Sequence, residues 1–114
     1  MISAIIANLE KMLGGRRDGA LLRYSLGNEW LKAGDPAKAA DCFRDAVKRD
    51  SKYSAAWKML GTALAESGLI AEALTAYEQG IVVAKVKGDI QAAKEMAVFA
   101  RRLRKQLDDG VSNV

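Results

Sequence analysis

Nucleophilic and metal-dependent chemistry fall away first. The 114-residue chain has no histidine and a single cysteine, Cys42. Ser-His and Cys-His pairs need an imidazole base, so neither can be assembled. One thiol closes no disulfide within the chain, and zinc sites draw on several Cys or His ligands. Only Arg44 stands near Cys42 to favour a thiolate, so an inert thiol is expected. The sequence offers no glycine-rich phosphate loop and no pair of carboxylates on a shared helix face, and nothing in it calls for a cofactor. What remains is recognition. Residues 94–105 hold Lys94, Arg101, Arg102, Arg104 and Lys105 against Glu95. That stretch takes five of the 18 basic residues and one of the 14 acidic ones, leaving a neutral remainder with 13 of each. The surface made by Lys94, Arg101, Arg102 and Lys105 suits an acidic protein partner better than nucleic acid. About four phosphate contacts give weak, salt-sensitive binding, and no interleaved aromatics are present for base stacking. Arginines near a helix C-terminus also complement its dipole, which is the plain reading of the cluster.

These side chains need helices to hold them. Half of the residues are hydrophobic and 28% are charged, a soluble globular balance, and Pro36 is the one proline. Ile2, Ile5, Ile6, Leu9, Met12 and Leu13 recur at 3–4 spacing and predict a first helix over 2–13, ended by Gly14-Gly15. Asp18 is placed to cap a second helix over about 19–33. Gly34-Asp35-Pro36 then combines a left-handed stop, a cap and a first-turn proline, opening a third helix that runs to Arg49. Further helices follow over about 54–66, 70–86 and 89–107, punctuated by Ser67-Gly68 and Gly88-Asp89, with a frayed tail over 108–114. On the last helix Ile90, Ala93, Met96, Ala97, Phe99, Ala100, Leu103 and Leu107 share one broad apolar face.

The helices repeat. Leu26-Gly27 returns as Leu60-Gly61, Gly34 as Gly68, and Ala39-x3-Phe43 as Ala73-x3-Tyr77, each displaced by 34 positions. Such an echo marks stacked helix-turn-helix units instead of one closed core. The run Trp57-x2-Leu60-Gly61-x2-Leu64 followed by Ala73-x3-Tyr77 resembles the tetratricopeptide (TPR) motif, Trp-x2-Leu-Gly-x2-Tyr then Ala-x3-Phe. The first unit departs with Arg23 at the tryptophan position, and Gly80 replaces the usual alanine after Tyr77. The resemblance implies an all-α helical repeat (an α-solenoid) of about six helices, one domain over 1–114. Its units are 20–53 and 54–87, flanked by capping helices at 2–13 and 89–107. Gly27 and Gly61 are expected where paired helices cross, answered by Ala39 and Ala73, with Phe43 and Tyr77 wedged between adjacent repeats. Trp30 and Trp57 are expected in the core.

In this family the first helix of each pair lines a concave surface. Mapped from the motif, that surface shows Leu21, Tyr24, Asn28, Leu31 and Lys32, then Ala55, Lys58, Thr62, Ala65 and Glu66. The mixture of apolar, amide and charged groups suits a peptide or a helix. Some members grip a C-terminal carboxylate through Lys-x3-Asn and a second asparagine. Here those positions read Tyr24-x3-Asn28 and Met59, which argues against that clamp. The resemblance thus implies a small bacterial TPR protein, a non-catalytic scaffold for a protein or peptide whose identity the sequence does not give. Self-association as a homodimer is the alternative, and acidic-partner or weak nucleic-acid binding by the last helix ranks behind it. No run approaches the roughly 18 apolar residues of a membrane span, and Met1–Ala7 carries no basic leader, so a cytoplasmic protein is expected.

Overall fold

Short-range signals decide where each helix starts and stops. The computed structural model describes residues 3–112, which form six α-helices and, among those residues, no strand. They are α1 (Ala4–Glu10), α2 (Ala20–Lys32), α3 (Pro36–Arg49), α4 (Ser54–Glu66), α5 (Ile70–Lys87) and α6 (Ile90–Ser112). Asp35 caps α3 by accepting from the Lys38 amide at 3.1 Å, with Pro36 at the first helical position. Gly34 and Gly68 take φ of 82° and 81°, a left-handed conformation that a Cβ disfavours. Each turn is closed by the same bond one period apart: Asp35 N–H to the Trp30 carbonyl and Leu69 N–H to the Leu64 carbonyl, both at 2.9 Å.

The helices pair as α2 with α3 and α4 with α5; α4 also packs on α3, and α6 on α5. The first helices are neighbours in turn, α2 touching α4 and α4 touching α6. The result is a TPR-type helical stack. Its core is continuous from Ile6 of α1 through Leu26 and Phe43 to Met96 of α6, all at most 2% exposed.

Glycines inside the helices set the closest approaches. A Cβ on Gly27 would lie 2.5 Å from the Phe43 ring, and one on Gly61 would lie 2.6 Å from the Tyr77 ring. Phe43 and Tyr77 therefore close the contact within their own unit. Tyr77 additionally reaches Phe99 of α6, ring centroids 5.5 Å apart. Ala39 and Ala73 are fully buried beside them. Gly80 admits Met96 and Trp57: a Cβ there would meet Met96 Sδ at 2.5 Å and Trp57 Cβ at 2.9 Å.

Several local expectations are corrected. The helix expected over 2–13 is Ala4–Glu10, followed by tight turns in which Met12 and Leu13 bond to Leu9 and Glu10; Ile2 lies outside the described residues. Ser3 caps it by accepting from the Ile6 amide. Asp18 does not cap α2; Gly19 stands at that position with no side-chain bond. The Asp18 carboxylate takes two bonds from the Arg23 guanidinium, at 2.9 and 2.8 Å, and one from the Gly14 amide at 2.8 Å. A charge-assisted fork of this kind outweighs neutral amides at a helix end. Helix α6 runs on to Ser112, where a frayed tail was expected from 108; Gly110 keeps a negative φ and does not stop it. Residues 113 and 114 lie outside the described residues. Trp30 is buried, but Trp57 is only half-buried, because its indole turns toward the α3–α4 loop and donates to the Ser51 carbonyl at 2.9 Å.

Candidate functional site

Helices α1, α2 and α4 enclose an open groove of 480 Å³. One wall is α1, contributing Ile5 and Leu9. The floor is α2, with Asn28, Leu31 and Lys32, and Met59 of α4 closes the far side. Helix α1 reaches this place because Ile6 is wholly buried against the stack, which turns its neighbour Ile5 outward at 57% exposure. The linker between α1 and α2 is pinned as well. Arg23, the departure from the tryptophan position, joins Asp18 to Asp45 of α3 at 3.0 Å, and Arg49 stands 3.8 Å from Asp18. Arg23, then the Gly14 amide, hold the Asp18 carboxyl well below the usual carboxylate range.

Of the residues mapped to the concave surface, the groove brings together Asn28, Leu31 and Lys32, the last paired with Glu29 at 3.1 Å. Tyr24 is half-buried in an aromatic stack, 4.9 Å from Tyr53 and 5.8 Å from Phe43. Lys58 is bound to Glu95 of α6, whose carboxyl that pairing holds below its ordinary value. Thr62 bonds to the Tyr77 hydroxyl at 2.9 Å and to the Lys58 carbonyl at 3.1 Å. Leu21 is 69% exposed, and it and Glu66 lie outside the groove lining. Ile5, Leu9 and Met59 were not foreseen as lining. The signal was the width of the apolar face on the first helix, too broad for one contact with α2.

Asn28 and Thr62 are one period apart, and the aromatics of their units, Phe43 and Tyr77, differ by a hydroxyl. Thr62 faces the Tyr77 hydroxyl, whereas Asn28 faces the unit whose aromatic is Phe43, which has none. Among the described residues the side-chain amide of Asn28 has no hydrogen-bond partner, and the residue lines the groove, half-buried, with a donor and an acceptor to offer.

The basic surface lies elsewhere, on α6. Lys94, Arg101, Arg102 and Lys105 are exposed. The Arg102 guanidinium stands 6.0 Å from the Phe99 ring centre, and Arg104 pairs with Glu78 of α5 at 2.9 Å. Cys42 is half-buried, and burial, then the Asp45 charge, push its thiol up to about 11. Among the described residues no cluster could hold a metal ion, and no helix is long and apolar enough to cross a membrane.

Comparison with known proteins agrees with this architecture. Residues 24–90 match the tetratricopeptide repeat family. The chain is 50% identical over 99 residues to a TPR repeat-containing protein, PA0015, of Pseudomonas aeruginosa, covering 87% of this chain and 94% of that one. Its fold is similar to the solution structure of BPP2914 from Bordetella parapertussis, with a TM-score of 0.77 and 39% identity over 91% of this chain and 90% of that one. A tetratricopeptide repeat domain protein from Salinibacter ruber is similar at a TM-score of 0.69 and 26% identity, covering 75% and 87%. MamA, at 20% identity and a TM-score of 0.64, shares the fold over 91% of this chain and 69% of its own.

Proposed function

The chain belongs to the tetratricopeptide repeat family, whose domains generally mediate protein–protein interactions, and from that premise we propose that it is a non-catalytic adaptor gripping a peptide or helix in the α1–α2–α4 groove. The observation that carries the reading is the unspent amide of Asn28 between apolar walls. A bound segment would place aliphatic side chains against Ile5, Leu31 and Met59, and a backbone peptide group against Asn28. An amide can give and take a hydrogen bond at once, which fixes the register of an extended segment.

The test is partner capture followed by mass spectrometry, comparing the wild type with Asn28→Ala and Leu31→Glu. Tyr24 is unsuitable for this purpose, because its stack on Phe43 and Tyr53 makes it structural. Capture should fall at least about tenfold, equivalent to ~1.4 kcal/mol of binding, while helicity and melting point hold. Undiminished capture by both variants would move the binding surface away from the groove.

A further inference from the structure

Helix α6 occupies the station of a third first helix: it packs on α5 and touches α4, just as α4 packs on α3 and touches α2. In the preceding unit that station is completed by a second helix. There α5 packs on α4, and Arg44 of α3 reaches Glu72 of α5 at 3.6 Å across a hollow of 240 Å³. One period on, Arg44 becomes Glu78 and Val47 becomes Ile81. Val47 is 7% exposed, whereas Ile81 opens into a furrow between α5 and α6.

Two hollows of 310 and 280 Å³ meet at Ile81 and Ala97 to make this furrow. Its α6 side is built from Ala93, Ala97 and Ala100, small side chains that let another helix approach to the 8–10 Å of ordinary helix packing. Ile90 stands at one mouth, 53% exposed. The rims are cationic: Lys85 on α5, then Lys94, Arg101 and Arg104 on α6. The one carboxylate in the lining, Glu78, is already engaged by Arg104.

We propose that the α5–α6 furrow receives an amphipathic, acidic helix of a partner protein, which completes the third repeat in trans. Charge selects this occupant. A narrow apolar floor between lysine and arginine rims is matched by a helix with an alanine- or leucine-lined stripe flanked by glutamates. A second copy of this chain fits poorly, since meeting through α6 would bring its basic face against like charge. Nucleic acid is disfavoured by the aliphatic floor, which offers no ring for stacking.

The probe is a fluorescein-labelled 18-residue peptide with Ala and Leu on one face and Glu on both flanks, compared with the same peptide carrying Lys for Glu. Binding is read by anisotropy with the full chain. The acidic peptide should bind and the basic one should not. Lys94→Glu with Arg101→Glu should weaken binding at least about tenfold without altering helicity, and Ala97→Phe, which fills the floor without changing charge, should do the same. Asn28→Ala should have no effect, which separates this surface from the groove. Absent binding at ~100 µM, equal binding of both peptides, or indifference to the α6 variants would overturn the proposal. So would a dimer in sedimentation that the same α6 variants dissolve, since that would give the furrow to a second copy.

Discussion

Gly61→Ala should destabilise the fold, although the same change in most helix interiors stabilises it. Alanine is favoured over glycine by about 1 kcal/mol in a helix because it loses less backbone entropy. Here the new Cβ would sit 2.6 Å from two atoms of the Tyr77 ring, where ordinary contact begins at 3.4 Å. The ring cannot simply withdraw, since its hydroxyl is held by Thr62 at 2.9 Å and its far side meets Phe99. Overpacking of this kind costs about 1–3 kcal/mol, and breaking the Thr62 bond adds about 0.5–1.5 kcal/mol. Against the helical gain, a net loss near ~2 kcal/mol is expected, which lowers the melting midpoint by on the order of 10 °C in a domain of this size. The assay is urea and thermal denaturation followed by circular dichroism, run as a double-mutant cycle with Tyr77→Leu. On the leucine background the alanine should be neutral or stabilising, a coupling of at least ~1.5 kcal/mol. A stabilised single variant, or additive effects across the cycle, would refute the reasoning.

Asp18→Asn tests the tether of α1. Because Arg23 and the Gly14 amide depress the folded-state pKa of Asp18, its contribution is fully present above the ordinary carboxylate value of about 3.9 and fades as pH falls toward the lower folded value. The gap in melting point between wild type and variant should thus be constant from pH 7 to about 5 and should narrow below about 4; a gap unchanged to pH 2 would contradict the ion-pair account. Cys42, with its thiol pushed up to about 11 by burial and Asp45, should react with iodoacetamide far more slowly at pH 8 than a free thiol. Its rate should still be climbing at pH 10, and a plateau near pH 9 would show an unperturbed group.

What the sequence disclosed depended on the range of the signal. Gly34, Gly68 and Gly88, with the caps at Asp35 and Asp89, act within a few residues, and the helix boundaries at those turns match the expectation to within a residue or two. The 34-residue echo supplied the stacking. What it hid was set by side-chain pairings that the periodicity does not encode. Asp18 read as a cap because Arg23 and Asp45 are neighbours only after folding. Trp57 read as core because the repeat pattern carries no sign that its indole N–H donates to the Ser51 carbonyl six residues before it. Of the concave surface, the motif supplied Asn28 and Leu31, but it carries no account of the α1 wall, which lies outside the repeat.

The glycine–aromatic contacts have a consequence for how such a chain can grow. Gly27 and Phe43 belong to one unit, as do Gly61 and Tyr77, and both pairs are separated by 16 residues. A gene segment encoding one unit would therefore carry both halves of the fit when it is duplicated, and the copy would be complete without compensating changes. Gly80 is different in kind, because besides Trp57 of its own unit it admits Met96, beyond the unit boundary, and the same position in the first unit is Ala46. A copy inserted before α6 would place that glycine against a new first helix and leave Met96 to dock on the copy. Lengthening the array is thus inexpensive everywhere except at this one junction, where glycine and methionine would have to be inherited together.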